Sequence, residues 1–136
     1  MVAGGRNLLP FPAMSALSDV VVLEFARGVA GPYCGRLLAD LGATVIKFEP
    51  PGGDPLRLAA PLAGGESAFF NYLNAGKLSF VAPAVAAVPP EALKRADIVV
   101  HDLLGIEAER LERMATAANP AAVVVSLSPY GRSGEK

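Results

Sequence analysis

The sequence predicts an α/β domain with a largely parallel sheet flanked by helices. Three observations carry that expectation. Short runs of β-branched and aliphatic residues, each of strand length, alternate with stretches of helical periodicity. The first strand, the first helix and the second strand fit into about 30 residues, the size of a βαβ unit with a right-handed crossover. The chain has 136 residues, 52% of them apolar. That length suits one domain, which buries roughly two-thirds of the surface its unfolded chain exposes.

Residues 19–25 form a run of Val20, Val21, Val22, Leu23 and Phe25, long enough for a buried strand. Gly28 and Gly31 follow, and Pro32 suits the first turn of a helix, where its missing N–H costs nothing. From there Tyr33, Cys34, Leu37, Leu38 and Leu41 share one helical face, and Gly42 is the expected C-cap. Residues 44–49 are the second strand. Residues 50–55, Pro-Pro-Gly-Gly-Asp-Pro, break the pattern, and a loop is expected to continue to Gly65. Residues 66–73 read as a short helix with Phe69, Phe70 and Leu73 on its apolar side. A third strand is expected over 78–82. The alanine- and proline-rich segment 82–90 indicates no regular element. A short helix over 90–96, a strand over 97–101, a charged amphipathic helix over 106–118 and a strand over 122–127 complete the order.

Composition excludes several classes. The apolar fraction is too high, and the net charge of -1 too small, for a disordered polymer. The same charge balance leaves no footprint for nucleic acid. The longest uncharged stretch, 114–131, is interrupted by Asn119, Pro120, Ser126, Ser128 and Pro129, so no membrane span is expected. One cysteine allows no intramolecular disulfide, and a cytoplasmic location is expected. Residues 8–16 loosely imitate a secretory leader, but Pro10 and Pro12 break the short apolar run. Residues 1–16 are therefore expected to be a disordered extension, with Met14 a candidate start, and residues 17–136 to be the domain.

Ligands of such sheets bind beyond the carboxyl ends of the strands, which directs attention to the loops after Phe25, Glu49, His101 and Leu127. The first loop has glycines that permit close approach and a helix N-terminus that favours an anion. The alternative is a tight turn without a ligand. Glu49 stands where a ribose-binding acid stands in dinucleotide domains. However, Gly28, Gly31 and Gly35 read G-x-x-G-x-x-x-G rather than G-x-G-x-x-G, and no Walker loop is present. Cys34 reads as a packing residue rather than a nucleophile. His101 ends a strand but has no second histidine or metal-ligand spacing, which favours a polar strand-end residue. Glu107, Glu109, Arg110, Glu112 and Arg113 read as a solvated face. Ser126, Ser128 and Ser133 lie in no nucleophile elbow.

Residues 22–34, Val-Leu-Glu-Phe-Ala-Arg-Gly-Val-Ala-Gly-Pro-Tyr-Cys, resemble the opening of the class III CoA-transferase family. That family includes formyl-CoA:oxalate and carnitine CoA-transferases and α-methylacyl-CoA racemase. The resemblance continues through Leu-Leu-Ala-Asp-Leu-Gly-Ala-Thr-Val-Ile-Lys-Phe-Glu-Pro-Pro-Gly-Gly-Asp-Pro-Leu-Arg over 37–57. It resumes at 65–70 and at 73–79, where Leu-Asn-Ala-Gly-Lys-Leu-Ser stands. It implies a Rossmann-like, largely parallel sheet with flanking helices, incomplete relative to the family's two-domain chain. It also implies acyl-CoA and a carboxylic acid as substrates of the complete protein, no metal, and a homodimer of interlocked rings. In the transferases an aspartate carboxylate attacks the thioester, giving a mixed anhydride and then an enzyme-bound thioester that passes CoA to the acceptor. By motif position Val29, Ala30, Gly31 and Pro50 would line the coenzyme A site, with Arg57 and Lys77 as charged contacts.

Three departures accompany the resemblance. The family's Glu-Asn-Phe-Arg-Pro-Gly is replaced by His101, Asp102, Leu103, Leu104 and Gly105. Asp102 then adds a negative charge beside a polyanionic ligand, so Asp102→Asn is expected to tighten binding. The last turn, Ser128 to Gly131, matches the family in part. The catalytic aspartate is expected beyond Lys136, so no catalytic residue is assigned, neither Asp97 nor Asp102 takes the role, and this chain alone is expected to be inactive. The alternatives are a non-catalytic CoA- or nucleotide-binding module working with a separate chain, a fragment of an acyl-CoA racemase, and a packed domain without a ligand.

Overall fold

The computed structural model describes residues 15–131. The expected N-terminal extension thus lies outside the described residues except for Ser15 and Ala16. There the Ser15 hydroxyl donates to the Leu41 carbonyl, and the Leu17 N–H, two residues on, reaches the same oxygen at 3.0 Å.

Strand β1 (Val21–Phe25) leads through helix α1 (Ala30–Asp40) to β2 (Thr44–Glu49). A 3-10 turn (Pro55–Leu58), a short hairpin of β3 (Leu62–Ala63) and β4 (Glu66–Ser67), and helix α2 (Ala68–Asn74) follow. Then come β5 (Leu78–Val81), a second 3-10 turn (Val85–Ala87), α3 (Pro90–Arg95), β6 (Ile98–His101), α4 (Gly105–Ala118) and β7 (Val123–Ser126). Five strands form one sheet in the order β5-β2-β1-β6-β7, every pair parallel. The order reverses direction between β1 and β6, the switch point where such sheets bind ligands.

All five expected strands are present, because β-branched runs buried on both faces need no alternation to be recognised. Leu23 and Phe25 face α3 and α4, in a core with Leu93, Val99, Leu111 and Ala115. Val22 faces α1, in a core with Val45 and Val100 against which Cys34, Leu38 and Ala39 pack. Among the described residues no helix is long and apolar enough to cross a membrane.

Three expectations need correction. The helix expected over 66–73 starts at Ala68, because Glu66 and Ser67 pair with Leu62 and Ala63. The Ser67 hydroxyl accepts the Phe70 N–H at 3.1 Å, so a side-chain cap fixes the boundary. The segment 82–90 is not featureless: it contains a 3-10 turn that buries Val85. Finally, α1 begins at Ala30 and seats itself by Gly31, Pro32 and Gly35, its smallest and most rigid residues. Tyr33, Leu37 and Leu41, expected on the buried face, are 43%, 48% and 51% exposed. The close approach of the two glycines turns that stripe away from the sheet.

Leu111 anchors α4 and is fully buried. Leu111→Ala is expected to lower stability by about 2–5 kcal/mol. In urea denaturation the midpoint should fall while the slope stays unchanged.

Candidate functional site

Charged residues interrupt the apolar strands near their carboxyl ends. Glu24 in β1 and Lys47 in β2 are opposite each other in register, and both side chains are buried. The Lys47 Nζ lies 3.1 Å from Glu24 Oε1, 2.7 Å from the Ala26 carbonyl and 3.0 Å from Asp54 Oδ2. The Lys77 Nζ lies 2.7 Å from Glu24 Oε2, 2.7 Å from the Pro32 carbonyl and 2.9 Å from Asn74 Oδ1. Each ammonium has three protons and meets three oxygens. One carboxylate therefore joins two buried lysines, which in turn hold the carbonyls of Ala26 and Pro32. Those carbonyls flank the β1–α1 loop, so the loop is pinned at both ends. Burial pushes the Lys77 ammonium below its ordinary value, against the opposing pull of Glu24.

Glycines make room for this arrangement. A Cβ on Gly35 would run into the Glu24 carboxylate, and one on Gly31 would run into the Ala26 Cβ. Gly28 has a φ of +66°, a left-handed conformation that turns the chain between Arg27 and the helix.

A second cluster fixes the loop after β2. The buried Glu49 carboxylate accepts hydrogen bonds from Arg57 Nε at 2.8 Å and Nη2 at 2.7 Å, from the Asp54 N–H at 2.9 Å and from Ser79 Oγ at 2.7 Å. The Arg57 guanidinium, followed by Ser79 and the Asp54 N–H, outweighs burial and holds the Glu49 carboxyl at about 2. Glu49 is thus committed to the protein and offers nothing to a ribose.

A cleft of about 300 Å³ opens beyond the carboxyl ends of the strands. Its apolar walls include Phe25, Phe48, Val85 and Leu103, and the Phe25 and Phe48 rings stack with centroids 4.5 Å apart. Arg27, Glu49 and Glu107 are its charged residues. Glu49 is paired with Arg57, and Glu107 lies 3.2 Å from Arg110. Among the described residues Arg27 has no ion-pair partner. No group of three His, Cys, Asp or Glu among the described residues is arranged to hold a metal ion.

Of the six residues expected in the site, Pro50 lines this cleft. Val29, 52% exposed, and the exposed Ala30 stand at the outer side of the β1–α1 junction, while Gly31 is buried against Ala26. Arg57 lies over the Phe70 ring, 4.1 Å from its centroid, and holds Glu49. Lys77 is buried, with its protons directed to protein oxygens. His101 is buried and faces α4, its Nε2 3.1 Å from Glu112 Oε1. Its Nδ1 has no hydrogen-bond partner among the described residues. Sequence reasoning overlooked Arg27 and the 82–85 segment. The signal for Arg27 was present: a cation immediately after the strand that borders the switch point.

The family model for CoA-transferase family III matches residues 17–136. The chain is 36% identical over 136 residues to succinyl-CoA:mesaconate CoA-transferase of Haloarcula hispanica, covering 90% of this chain and 34% of that protein. It is 33% identical to acetyl-CoA:oxalate CoA-transferase of Acetobacter aceti, covering 92% and 34% respectively. A CAIB/BAIF family protein from Brucella suis, known from its crystal structure, matches with a TM-score of 0.76 at 30% identity, over 89% of this chain and 35% of that one. The chain spans about a third of the length of the curated relatives it matches.

Two outcomes follow from the ion clusters. Gly35→Ala is expected to destabilise by about 3 kcal/mol or more, because it displaces a buried carboxylate from two buried cations. Thermal unfolding measures it. The depressed Glu49 carboxyl gives stability that is fully present above about pH 4.5 and is lost as pH falls towards 2. Arg57→Ala should cost on the order of 1–2 kcal/mol at pH 7, allowing for solvent screening of its half-exposed guanidinium. Chemical denaturation at several pH values should show that difference shrinking as pH falls from 4.5 to 2.

Proposed function

The chain belongs to CoA-transferase family III, and on that premise we propose that it forms the coenzyme A-binding part of an enzyme that moves CoA between an acyl-CoA and a carboxylic acid. The carrying observation is the cleft at the switch point, with apolar walls and one guanidinium, Arg27, that has no ion-pair partner among the described residues. Coenzyme A combines a planar base, a chain of phosphates and an extended thiol arm. In this reading the apolar walls and the Arg27 cation meet the nucleotide end. The outer side of the β1–α1 loop, at Val29 and Ala30, follows the phosphates towards the start of α1. Pro32 has no N–H, so Ala30 and Gly31 supply the free amide donors of that helix terminus.

The described residues bind rather than break bonds. Thioester exchange through a carboxylate needs a nucleophile free to attack. The cleft's own carboxylates, Glu49 and Glu107, are both held by arginines. Pro50 shapes the wall, while Arg57 and Lys77 act from beneath it by holding the loops that the ligand touches.

Titration calorimetry with coenzyme A tests the reading. The chain is expected to bind CoA, and Arg27→Ala to weaken binding about tenfold, the value of one charge-assisted contact. An assay with an acyl-CoA and an acceptor acid is expected to show no acceptor-dependent exchange by this chain alone. Failure to bind CoA at millimolar concentration, or full affinity in Arg27→Ala, would overturn the assignment.

A further inference from the structure

We propose that Asp102 is a positioning residue whose carboxylate holds the Arg27 peptide and so aims the Arg27 guanidinium into the cleft. The ladder between β1 and β6 ends at the pair Phe25 and His101. Asp102 continues it by other means: its Oδ2 accepts the Arg27 N–H at 2.7 Å. That bond is short for an amide donor, as expected when the acceptor is charged. The same peptide unit presents its carbonyl, that of Ala26, to the Lys47 ammonium at 2.7 Å. One peptide plane is therefore clamped by an anion on its N–H and a cation on its carbonyl. Gly28 turns the chain away at the next residue, so Arg27 is the last residue of the loop whose backbone is fixed from both sides.

This arrangement has an electrostatic consequence. Asp102 engages the backbone of Arg27 and not its side chain, which leaves the guanidinium available to an anion. The Asp102 charge also meets a peptide N–H rather than facing a ligand unbalanced, which revises the expectation of simple repulsion. Asparagine at this position keeps an acceptor oxygen; alanine does not.

The proposal rests on the reading of the cleft as a CoA site, and the test separates the two. Calorimetric titration with coenzyme A compares Asp102→Ala, Asp102→Asn, Arg27→Ala and the double variant Arg27→Ala/Asp102→Ala. Asp102→Ala is expected to weaken CoA about tenfold, and Asp102→Asn to remain within about threefold of the wild type. In the Arg27→Ala background Asp102→Ala should cost nothing further, because its effect passes through Arg27. Additive losses, equal losses in Asn and Ala, or full affinity in Asp102→Ala would overturn the proposal. If the wild type binds no CoA, the reading of the site fails, and amide hydrogen exchange then judges the latch. The Arg27 amide should be protected in the wild type and in Asp102→Asn; rapid exchange at Arg27 in the wild type overturns the latch whether or not Asp102→Ala folds.

Discussion

A carboxylate buried under a helix has to be met by cations, and Glu24 is met by two. Most of the local architecture follows from that constraint. Lys47 approaches along the sheet and Lys77 from the end of α2. Gly35 has no Cβ because the carboxylate occupies the space beneath it. Asp54 shares Lys47 and so ties the loop after β2 to the same centre. The protons left after pairing go to the carbonyls of Ala26 and Pro32. Replacing such a cluster with apolar side chains of similar volume is often neutral for stability, whereas removing one member leaves an uncompensated charge. The value of this cluster therefore lies in position: it fixes where the β1–α1 loop runs.

Electrostatics at the cleft complements this. Glu49 and Glu107 are already matched by arginines, and Asp102 by a peptide N–H. That leaves exposed Arg27 as the one charged residue lining the cleft without an ion-pair partner among the described residues. The chain as a whole has a net charge of -1, so this positive charge is a local feature rather than a property of the surface.

The sheet was legible because Val20 to Leu23, Val45 to Ile46, Ile98 to Val100 and Val123 to Val125 are dense β-branched or aliphatic runs, and the resemblance over 22–79 named the family. Elements shorter than a turn or defined by caps were not legible. The β3–β4 hairpin rests on two residues a side, and Val85 is buried by a 3-10 turn that carries no periodicity. Apolar size is only a partial guide to the buried face of α1: Cys34 and Leu38 do pack towards the sheet, but the fully buried contacts are made by Gly31, Pro32 and Gly35, and Tyr33, Leu37 and Leu41 are exposed. Within the site, a family motif places residues along the chain but does not say which side chains face a ligand. Lys77 is an example, turned wholly into the protein. Glu24 and Lys47 did leave a trace, an acid and a base each interrupting an apolar strand, but their pairing depends on register, which the sequence does not state.

The three glycines of the first loop and helix show why spacing alone misleads. In a dinucleotide fingerprint the glycines yield space to the pyrophosphate and to helix–strand packing. Here two of the three yield space to protein atoms: Gly31 to Ala26, and Gly35 to Glu24. Only Gly28 has open space around the position of a Cβ, and its positive φ rather than its size is what the turn requires. The spacing G-x-x-G-x-x-x-G is thus set by how α1 descends onto β1 and its buried carboxylate. The Arg27 end of the loop is held by Lys47 and Asp102 through the Ala26–Arg27 peptide, so its course is set by charges on and just beyond the neighbouring strands rather than by the loop's own glycines.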